Sequence, residues 1–423
     1  MRRILRLALA MAFVLCVGSV FAAGKTIVIM SHQTKFHEKV ENQIMANIEK
    51  KLGIKIEYQV LPDGNWEQVF RTKLAAGDAP DLVIANAPPS FDQFEAGTFV
   101  DLAKEPWVSK MVNPKAVTDP KGKIYAQPRF SSGVFILIYY NKKIFKELNL
   151  NPSPNTYTDF LANMEKVKKS GKYTPIIFSN KDKWSTQIFM LCGNGALGKT
   201  RDPEIFKKIV ANKLKWVDFP EFQVVMAKFK ELFDKGYTNK DSLTTSFDDA
   251  KAAFGMGKAA MILNGDWTIG DFAAKYPDFE VGAFAIPFID KKPMVTTANW
   301  VDGIHVVASG KQVDLAKKVL AEIAKPENYE LWAADTGFAP AFTDCKVDKQ
   351  PPVVQELIKK YIKTGNFVYQ QNDDMTMIND DVYQELWSYY IELITGDKTP
   401  LEVAQAWDAK FAEFMKMKGV AGW

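Results

Sequence analysis

An alternation of strand-like and helix-like segments follows residue 25, and it constrains the fold more than any other feature of the sequence. The strand-like segments span residues 26–30, 54–60 and 81–85. An amphipathic stretch that ends at Leu52 separates the first two, and a helical stretch that begins near Trp66 separates the second two. This βαβαβ order is typical of a largely parallel sheet covered by helices. The sequence therefore predicts an α/β fold.

Turn residues between these segments support that prediction. Pro62, Asp63 and Gly64 form a turn signal, and Asn65 after them is a candidate cap for the helix that follows. Gly77 is placed to end that helix, because glycine adopts the left-handed conformation of a helix C-terminus at little cost.

The alternation continues in a second α/β region after Tyr140, and the last part of the chain is predicted to be helical. In the helix predicted from Phe222, the residues Val225, Met226 and Phe229 recur at helical spacing and are expected in a core. The other predicted strands and helices span residues 134–140, 175–178, 259–263, 281–284 and 303–308, and residues 157–170, 313–324, 352–363, 380–395 and 400–418, respectively.

Residues 1–22 have the features of a secretory signal peptide. Three arginines precede an apolar run over residues 7–17, and small residues follow it. The apolar run is well short of the roughly 20 residues that a membrane span requires. Cys16 is not preceded by the small residues of a lipoprotein signal. We therefore predict cleavage after Ala22 and a freely soluble protein in the periplasm.

The length of the chain indicates its number of domains, and its charge bears on nucleic-acid binding. Roughly 400 residues remain after residue 22, more than a single core usually holds, so two domains are expected. Loss of the three signal-peptide arginines lowers the formal net charge from +4 to +1. This nearly balanced charge gives no indication of nucleic-acid binding.

Two cysteines, Cys192 and Cys345, lie beyond the signal peptide. A disulfide could persist outside the cytoplasm, but separation along the sequence does not show whether two sulfurs are close in space. We expect two separate buried thiols, with a disulfide as the alternative.

Four segments resemble the family of extracellular solute-binding proteins that includes the maltose-binding proteins. They are spread over the chain in the order LAAGDAPDLV at residues 74–83, YYNKKIF at 139–145, FGMGKAAMILNGDW at 254–267 and DGIHVV at 302–307. The resemblance implies a two-lobed periplasmic binding protein fold with discontinuous lobes, a hinge and a cleft between the lobes. The implied N-terminal and C-terminal lobes comprise residues 23–135 plus 302–342, and residues 136–299 plus 343–423.

By the same resemblance, the chain is expected to be the extracytoplasmic receptor of an ABC importer. Contacts from both lobes would favour the closed state, so that a hinge rotation traps the solute without breaking any bond. The closed receptor would deliver the solute to the transmembrane permease, and separate ATPase subunits would hydrolyse ATP. The expected receptor is a monomer with no cofactor, no metal ligands and no catalytic residues.

A carbohydrate is the predicted solute. Ten tryptophans are present, and sugar recognition requires flat aromatic faces together with planar amides or carboxylates. Loops at the C-terminal ends of strands face the crevice in open α/β sheets. We predict ligand-binding residues near strand ends, at a helix start and where the chain returns to the first lobe before residue 302. They are His32, Trp66, Asn86, Trp184, Asp266, Trp267, Asn299, Trp300 and Asp302.

Packing is the alternative role for some of these residues and the favoured role for other aromatic residues. Trp267 could pack between the lobes with Asp266 as a helix cap. The tryptophans that fit helical or surface packing better than ligand binding are Trp216, Trp332, Trp387 and Trp407.

Other functions remain open from the sequence alone. An exported glycosidase also uses a cleft and paired carboxylates, but neither a lipase-type nucleophile motif nor an HExxH zinc motif occurs. A metal-ion receptor could use the adjacent Tyr139 and Tyr140, as ferric-ion receptors use a tyrosine pair, although their place in an apolar strand favours a structural role. A peptide or polyamine receptor is a further alternative, and Asp266, Asp302 and Asp373 could serve a polyamine.

Overall fold

The computed structural model describes residues 25–87, 94–119, 121–130, 134–276, 278–298, 301–338, 340–346, 351–378 and 380–423. Within these ranges the chain forms two α/β lobes, each built on its own sheet. The strands are β1 Thr26–His32, β2 Lys55–Leu61, β3 Leu82–Ala87, β4 Gln127–Pro128, β5 Phe135–Asn141, β6 Thr174–Ile177, β7 Ala259–Gly265, β8 Val281–Phe284, β9 Val295–Thr297, β10 Val301–Val306 and β11 Phe367–Tyr369.

The helices surround these sheets and agree closely with the periodicity of the sequence. They are α1 Glu38–Leu52, α2 Trp66–Ala75, α3 Lys142–Glu147, α4 Tyr157–Ser170, α5 Gln187–Gly193, α6 Lys199–Arg201, α7 Ile205–Val210, α8 Pro220–Asp234, α9 Phe247–Gly255, α10 Ile269–Lys275, α11 Val313–Ile323, α12 Pro326–Thr336, α13 Pro352–Leu357, α14 Asp380–Thr395 and α15 Pro400–Met417.

The first lobe is built on a sheet in the order β2-β1-β3-β10-β4. Strand β1 is parallel to β2 and β3, which confirms the prediction from the βαβαβ pattern, and β10 is antiparallel to β3 and β4. Helices α1, α11 and α12 cover one face of the sheet, and α2 covers the other. Side chains alternate across a strand, so Ile84 of β3 packs in the core under α1, α11 and α12, and Val83 packs in the core under α2.

The second lobe is built on a sheet with the strand path β11-β9-β5-β7-β6, and β8 also pairs with β5. Strand β5 is antiparallel to β7, β8 and β9, and β6 is parallel to β7. The main core of this lobe lies around Trp216 and Trp407, which are completely buried. Trp332 is buried in the core of the first lobe. The packing roles predicted for these three tryptophans are confirmed.

Side-chain caps explain where several helices begin. Thr156, Ser246 and Thr399 start α4, α9 and α15 with capping boxes, in which the hydroxyl accepts from a backbone N–H of the first turn. The predicted cap at Asn65 is wrong: α2 begins directly after this residue, but the Asn65 side chain makes no capping hydrogen bond. Gly77 follows the end of α2 with a φ of 70°, as a helix-ending glycine should.

The chain passes between the lobes at three places. Val134 packs in the first core, and Phe135 begins β5 of the second sheet. The return crossing lies between Thr297 at the end of β9 and Val301 at the start of β10. The third crossing lies beyond Cys345, which packs in the core of the first lobe. The packing of the first lobe therefore extends past the expected residue 342.

The two cysteines belong to different lobes. Cys192 packs in the core of the second lobe, whereas Cys345 packs in that of the first. Both are buried free thiols. The prediction of two separate thiols is confirmed.

Candidate functional site

A large cavity lies between the two lobes and contains about 1360 Å³ of unfilled space, including its open mouth. Both lobes contribute to its wall. Of the predicted ligand-binding residues, those that line it are His32, Trp66, Asn86, Trp184, Trp267 and Asp302. Further lining residues that the sequence analysis did not assign to ligand binding include Thr34, Lys35, Asp63, Phe130, Gln187, Phe338, Gln370, Asn372, Tyr383 and Trp387.

Strand topology brings three of the predicted residues to one edge of the first sheet. His32 ends β1, and Asn86 is the penultimate residue of the parallel strand β3. Asp302 is near the start of β10, and because β10 is antiparallel to β3, Asp302 pairs with Asn86. The C-terminal ends of β1 and β3 and the start of β10 therefore meet at the cavity, as expected for ligand sites in open α/β sheets.

His32 forms a polar and aromatic cluster on this wall. Its ring stacks on Trp66 with 5.2 Å between the centroids and 14° between the planes. Its Nδ1 lies 3.0 Å from Oδ1 of Asp63, which also accepts from the Thr34 backbone N–H at 3.1 Å. Burial lowers the pKa of His32, against the opposing effect of the hydrogen bond to Asp63. At neutral pH His32 is therefore a neutral imidazole that donates to Asp63.

Asp63 itself remains ionised in this cluster. Burial alone would raise the pKa of Asp63, but the hydrogen bonds from His32 and Thr34 outweigh that effect and lower it. The carboxylate is thus held by donors of two residues, His32 and Thr34.

Lys35 forms a second polar cluster beside the first. Its ammonium group pairs with the Asp302 carboxylate and donates to Oδ1 of Asn86 at 2.5 Å. Its backbone carbonyl accepts from Nη1 of Arg129 at 2.8 Å, and Arg129 is buried in an ion pair with Glu41. This anchoring explains why a lysine can lie on the cavity wall with only 9% of its surface exposed.

The wall of the second lobe includes the aromatic rings of Trp184, Tyr383 and Trp387 among aliphatic and amide side chains. Trp184 belongs to the short turn Trp184–Thr186, and its ring lies 4.9 Å from that of Phe247. Tyr383 and Trp387 lie one helical turn apart on α14, with their rings 6.4 Å apart and 10° from parallel. The indole nitrogens of Trp184 and Trp387 are buried and have no hydrogen-bond partner among the described residues.

Trp387 has the packing role that the sequence predicted, because it is buried in the core of the second lobe, but it also lines the cavity. Its helical spacing from Tyr383 was the only available signal, and that pattern usually indicates core packing. Which side of α14 faces the cavity depends on tertiary packing, so the sequence could not identify this ring.

Trp267 and Asp266 lie side by side but have different environments. Trp267 lines the cavity and packs against the cores of both lobes. A Cβ atom on Gly265 would lie 1.7 Å from the Trp267 ring, so glycine is required where the ring folds back on the end of β7. Asp266 does not line the cavity. Its buried Oδ1 accepts from the Phe135 backbone N–H at 3.1 Å, and burial raises the pKa of this carboxyl to about 7.

The remaining candidates are two predicted ligand-binding residues and the tyrosine pair. Asn299 and Trp300 fall outside the described residues. Tyr139 is completely buried in β5, and Tyr140 packs against Phe145. Neither tyrosine lines the cavity, so the pair has the structural role that its strand position favoured.

Comparison with known proteins identifies the family. Residues 31–330 match the profile of the bacterial extracellular solute-binding proteins. The chain belongs to this family. As a solute-binding protein it is an exported, extracytoplasmic protein, and in the described part of the chain no helix is both long and apolar enough to cross a membrane.

Similar proteins support both the family and the two-lobed fold. A protein of Pyrococcus horikoshii named as an uncharacterized ABC transporter extracellular-binding protein is 28% identical, over 75% of this chain and 71% of its own length. The multiple sugar-binding protein of Streptococcus mutans is 26% identical, over 80% of each chain. The structure of a sugar transporter protein of Bacillus licheniformis in complex with stachyose has a TM-score of 0.73 at 22% identity, and the match covers 91% of this chain and 99% of that one.

Proposed function

We propose that this solute-binding protein captures an uncharged sugar or oligosaccharide between its lobes and delivers it to the permease of an ABC importer. The observation that carries the proposal is the composition of the cavity wall. Aromatic rings from both lobes face a space that also contains paired polar groups.

The aromatic residues supply the apolar half of sugar recognition. Trp66 lies on the first lobe, Trp184 and Trp387 lie on the second, and Trp267 lies against both. Such rings can pack on the C–H faces of a pyranose. A saccharide with several rings would use platforms on both lobes.

The charged groups favour an uncharged solute. Among the described residues, the charged side chains on the cavity wall are Lys35, Asp63 and Asp302. Lys35 pairs with Asp302, and Asp63 accepts from His32 and Thr34. An anionic ligand would have to compete with Asp302 for Lys35, and a polyamine would find one unneutralised carboxylate where it needs several.

The relatives agree with this assignment. The Streptococcus mutans relative is named for binding multiple sugars, and the Pyrococcus horikoshii relative is named as part of an ABC transporter. We extend both properties to this chain, with a monomeric receptor in the periplasm, released by cleavage of residues 1–22, and with permease and ATPase subunits as its partners. We propose no catalytic activity, because hinge closure alone accounts for capture.

A thermal-shift screen tests the choice of solute. Ligands that bind only the native state raise the free energy of unfolding, by about 2.7 kcal/mol at 100 times Kd. The mature protein should therefore melt at a higher temperature with stachyose, raffinose or maltotriose, and not with spermidine or glycerol 3-phosphate. A shift with spermidine alone would contradict the proposal. The sugar should also remain chemically intact after incubation.

Matched tryptophan variants locate the binding site. Trp66→Phe removes ring area at the cavity, so the sugar-induced shift should become smaller. Trp107→Phe makes the same change at a buried position outside the cavity wall and should leave the sugar-induced shift unchanged. Equal effects of both variants would mean that Trp66 does not contact the sugar.

A further inference from the structure

Lys183 has an unusual backbone conformation next to the cavity. It joins the short turns Asn180–Asp182 and Trp184–Thr186 with φ 49° and ψ −52°. A residue with a Cβ atom adopts positive φ at a cost in free energy, and such conformations persist where surrounding contacts determine them. The sequence has a lysine here, where glycine would adopt the same backbone with less strain.

Hydrogen bonds on both sides hold the strained residue in place. The Lys183 carbonyl accepts from the Thr186 backbone N–H at 2.9 Å and from the Thr186 hydroxyl at 2.6 Å. On the other side, the Asp182 carboxylate accepts from the Phe247 backbone N–H at 2.5 Å, and the Asn180 backbone N–H donates to the Ser242 carbonyl at 2.9 Å. The turn is therefore fixed to neighbouring segments at each end.

This turn determines where Trp184 points. Trp184 follows the strained residue directly, lines the cavity and packs against Phe247, which is tied to the same turn. The Lys183 ammonium group donates to the Ser388 hydroxyl at 3.3 Å, on the helix that carries Tyr383 and Trp387. Lys183 is thus linked to the turn that carries Trp184 and to the helix that carries Tyr383 and Trp387, without lining the cavity itself.

We propose that Lys183 is a positioning residue, whose strained backbone holds the Trp184 ring across the cavity before a ligand arrives. A ring that is already oriented loses less conformational entropy on binding. The proposal rests on the function proposed above, since it assigns Trp184 to the ligand-binding wall.

Two glycine variants separate positioning from stability. Lys183→Gly relieves the strain but allows many more backbone conformations, so the melting temperature should stay the same or rise while Trp184 becomes mobile. Lys291→Gly is the matched control, because Lys291 is also exposed, has a φ of 61° and does not line the cavity. It should behave like Lys183→Gly in melting and leave Trp184 unchanged.

Fluorine NMR of protein labelled with fluorotryptophan observes Trp184 without any ligand. The resonance is assigned by its loss in Trp184→Phe. We expect one narrow resonance in the native protein and in Lys291→Gly, and a broadened or multiple resonance in Lys183→Gly. A single narrow resonance in Lys183→Gly would overturn the proposal, even if no sugar in the screen binds.

Binding of stachyose gives the second readout. Lys183→Gly should bind stachyose about tenfold more weakly than the native protein, without a lower melting temperature, and Lys291→Gly should bind normally. A lower melting temperature together with weaker binding would show a merely structural role and overturn the inference. Absence of any sugar binding in the native protein would instead contradict the proposed function, and the fluorine signal would still decide whether Lys183 positions Trp184.

Discussion

Burial at single positions changes the ionisation of groups near the cavity. The Asp266 carboxyl is 6% exposed, and its burial raises its pKa from 3.8 to about 7. Burial also lowers the pKa of His32, so the imidazole is neutral where a surface histidine would be partly charged. Their residue types and their positions near strand ends predicted both side chains as polar ligand contacts. Only the surrounding structure distinguishes a buried acid from one that lines the wall.

Replacement of Asp266 provides a prediction for pH-dependent stability. A carboxyl with a raised native pKa stabilises the fold when protonated, so its contribution is present below about pH 4 and is lost as the pH rises to about 7. Asp266→Asn imitates the protonated form and can still accept from the Phe135 backbone N–H. At pH 8 the variant should be more stable than the native protein by about 2–4 kcal/mol.

Chemical denaturation at two pH values checks this expectation. At pH 4 the native and variant proteins should have nearly equal free energies of unfolding. Comparison at the same pH cancels the effects of the buried histidines, which are present in both proteins. A stability difference that is the same at pH 4 and pH 8 would show that Asp266 is ionised throughout.

The sequence identified those site residues whose placement follows from strand ends. His32, Asn86 and Asp302 were predictable because the ends of β1 and β3 and the start of β10 meet at one sheet edge. Lys35 and Trp387 were not predictable, because their positions depend on a buried arginine and on the rotation of α14 about its axis. Local sequence patterns predict where strands end, but they do not predict these tertiary contacts.

At the scale of elements, hydrophobic period and turn residues predicted the boundaries well. The helices α4 and α14 were predicted at their observed bounds, and β10 begins two residues earlier than predicted. The antiparallel insertion of β10 beside β3 depends on the chain returning from the second lobe. The family resemblance assigned residues 302–342 to the first lobe, but it did not predict that β10 is antiparallel to β3.

The packing of β10 leads to a prediction about Gly303. A Cβ atom at this buried position would lie 2.6 Å from the Cβ of Ala126 and 3.3 Å from that of Ala87. Gly303→Ala should therefore lower the free energy of unfolding by about 1–3 kcal/mol, as overpacking in a core does. The neighbouring Asp302 would move with the strand, so sugar binding should weaken too.

Gly64→Ala is the matched control for this substitution. A Cβ atom at Gly64 would have no heavy atom within 4 Å, and its φ is outside the left-handed region. The control should be as stable as the native protein or more stable by up to about 1 kcal/mol, because alanine restricts the unfolded chain. Urea denaturation of both variants measures the difference. Native stability in Gly303→Ala would mean that β10 can move away from Ala126.

At the scale of the whole molecule, the two lobes are separated in one region and closely packed in another. At the cavity the lobes are separated by the open space that the ligand would fill. Away from it, α10 of the second lobe approaches α12 of the first so closely that a Cβ on Gly270 would lie 3.1 Å from the Asp335 carbonyl oxygen. Trp267 packs against both cores between these regions. The lobes are therefore in contact on one side of the cavity.

This arrangement predicts that a bound sugar makes the molecule more compact. A ligand shifts a conformational equilibrium only by its difference in affinity for the two states, and contacts with both lobes favour the closed state. Small-angle X-ray scattering should thus show a smaller radius of gyration with saturating stachyose than without it. Trp184→Ala removes a ring of the second lobe, so stachyose held mainly by the first lobe should reduce the radius less at equal saturation. If the native protein and the variant contract equally, the Trp184 ring does not contribute to closure. If neither contracts, the ligand binds to lobes that are already closed.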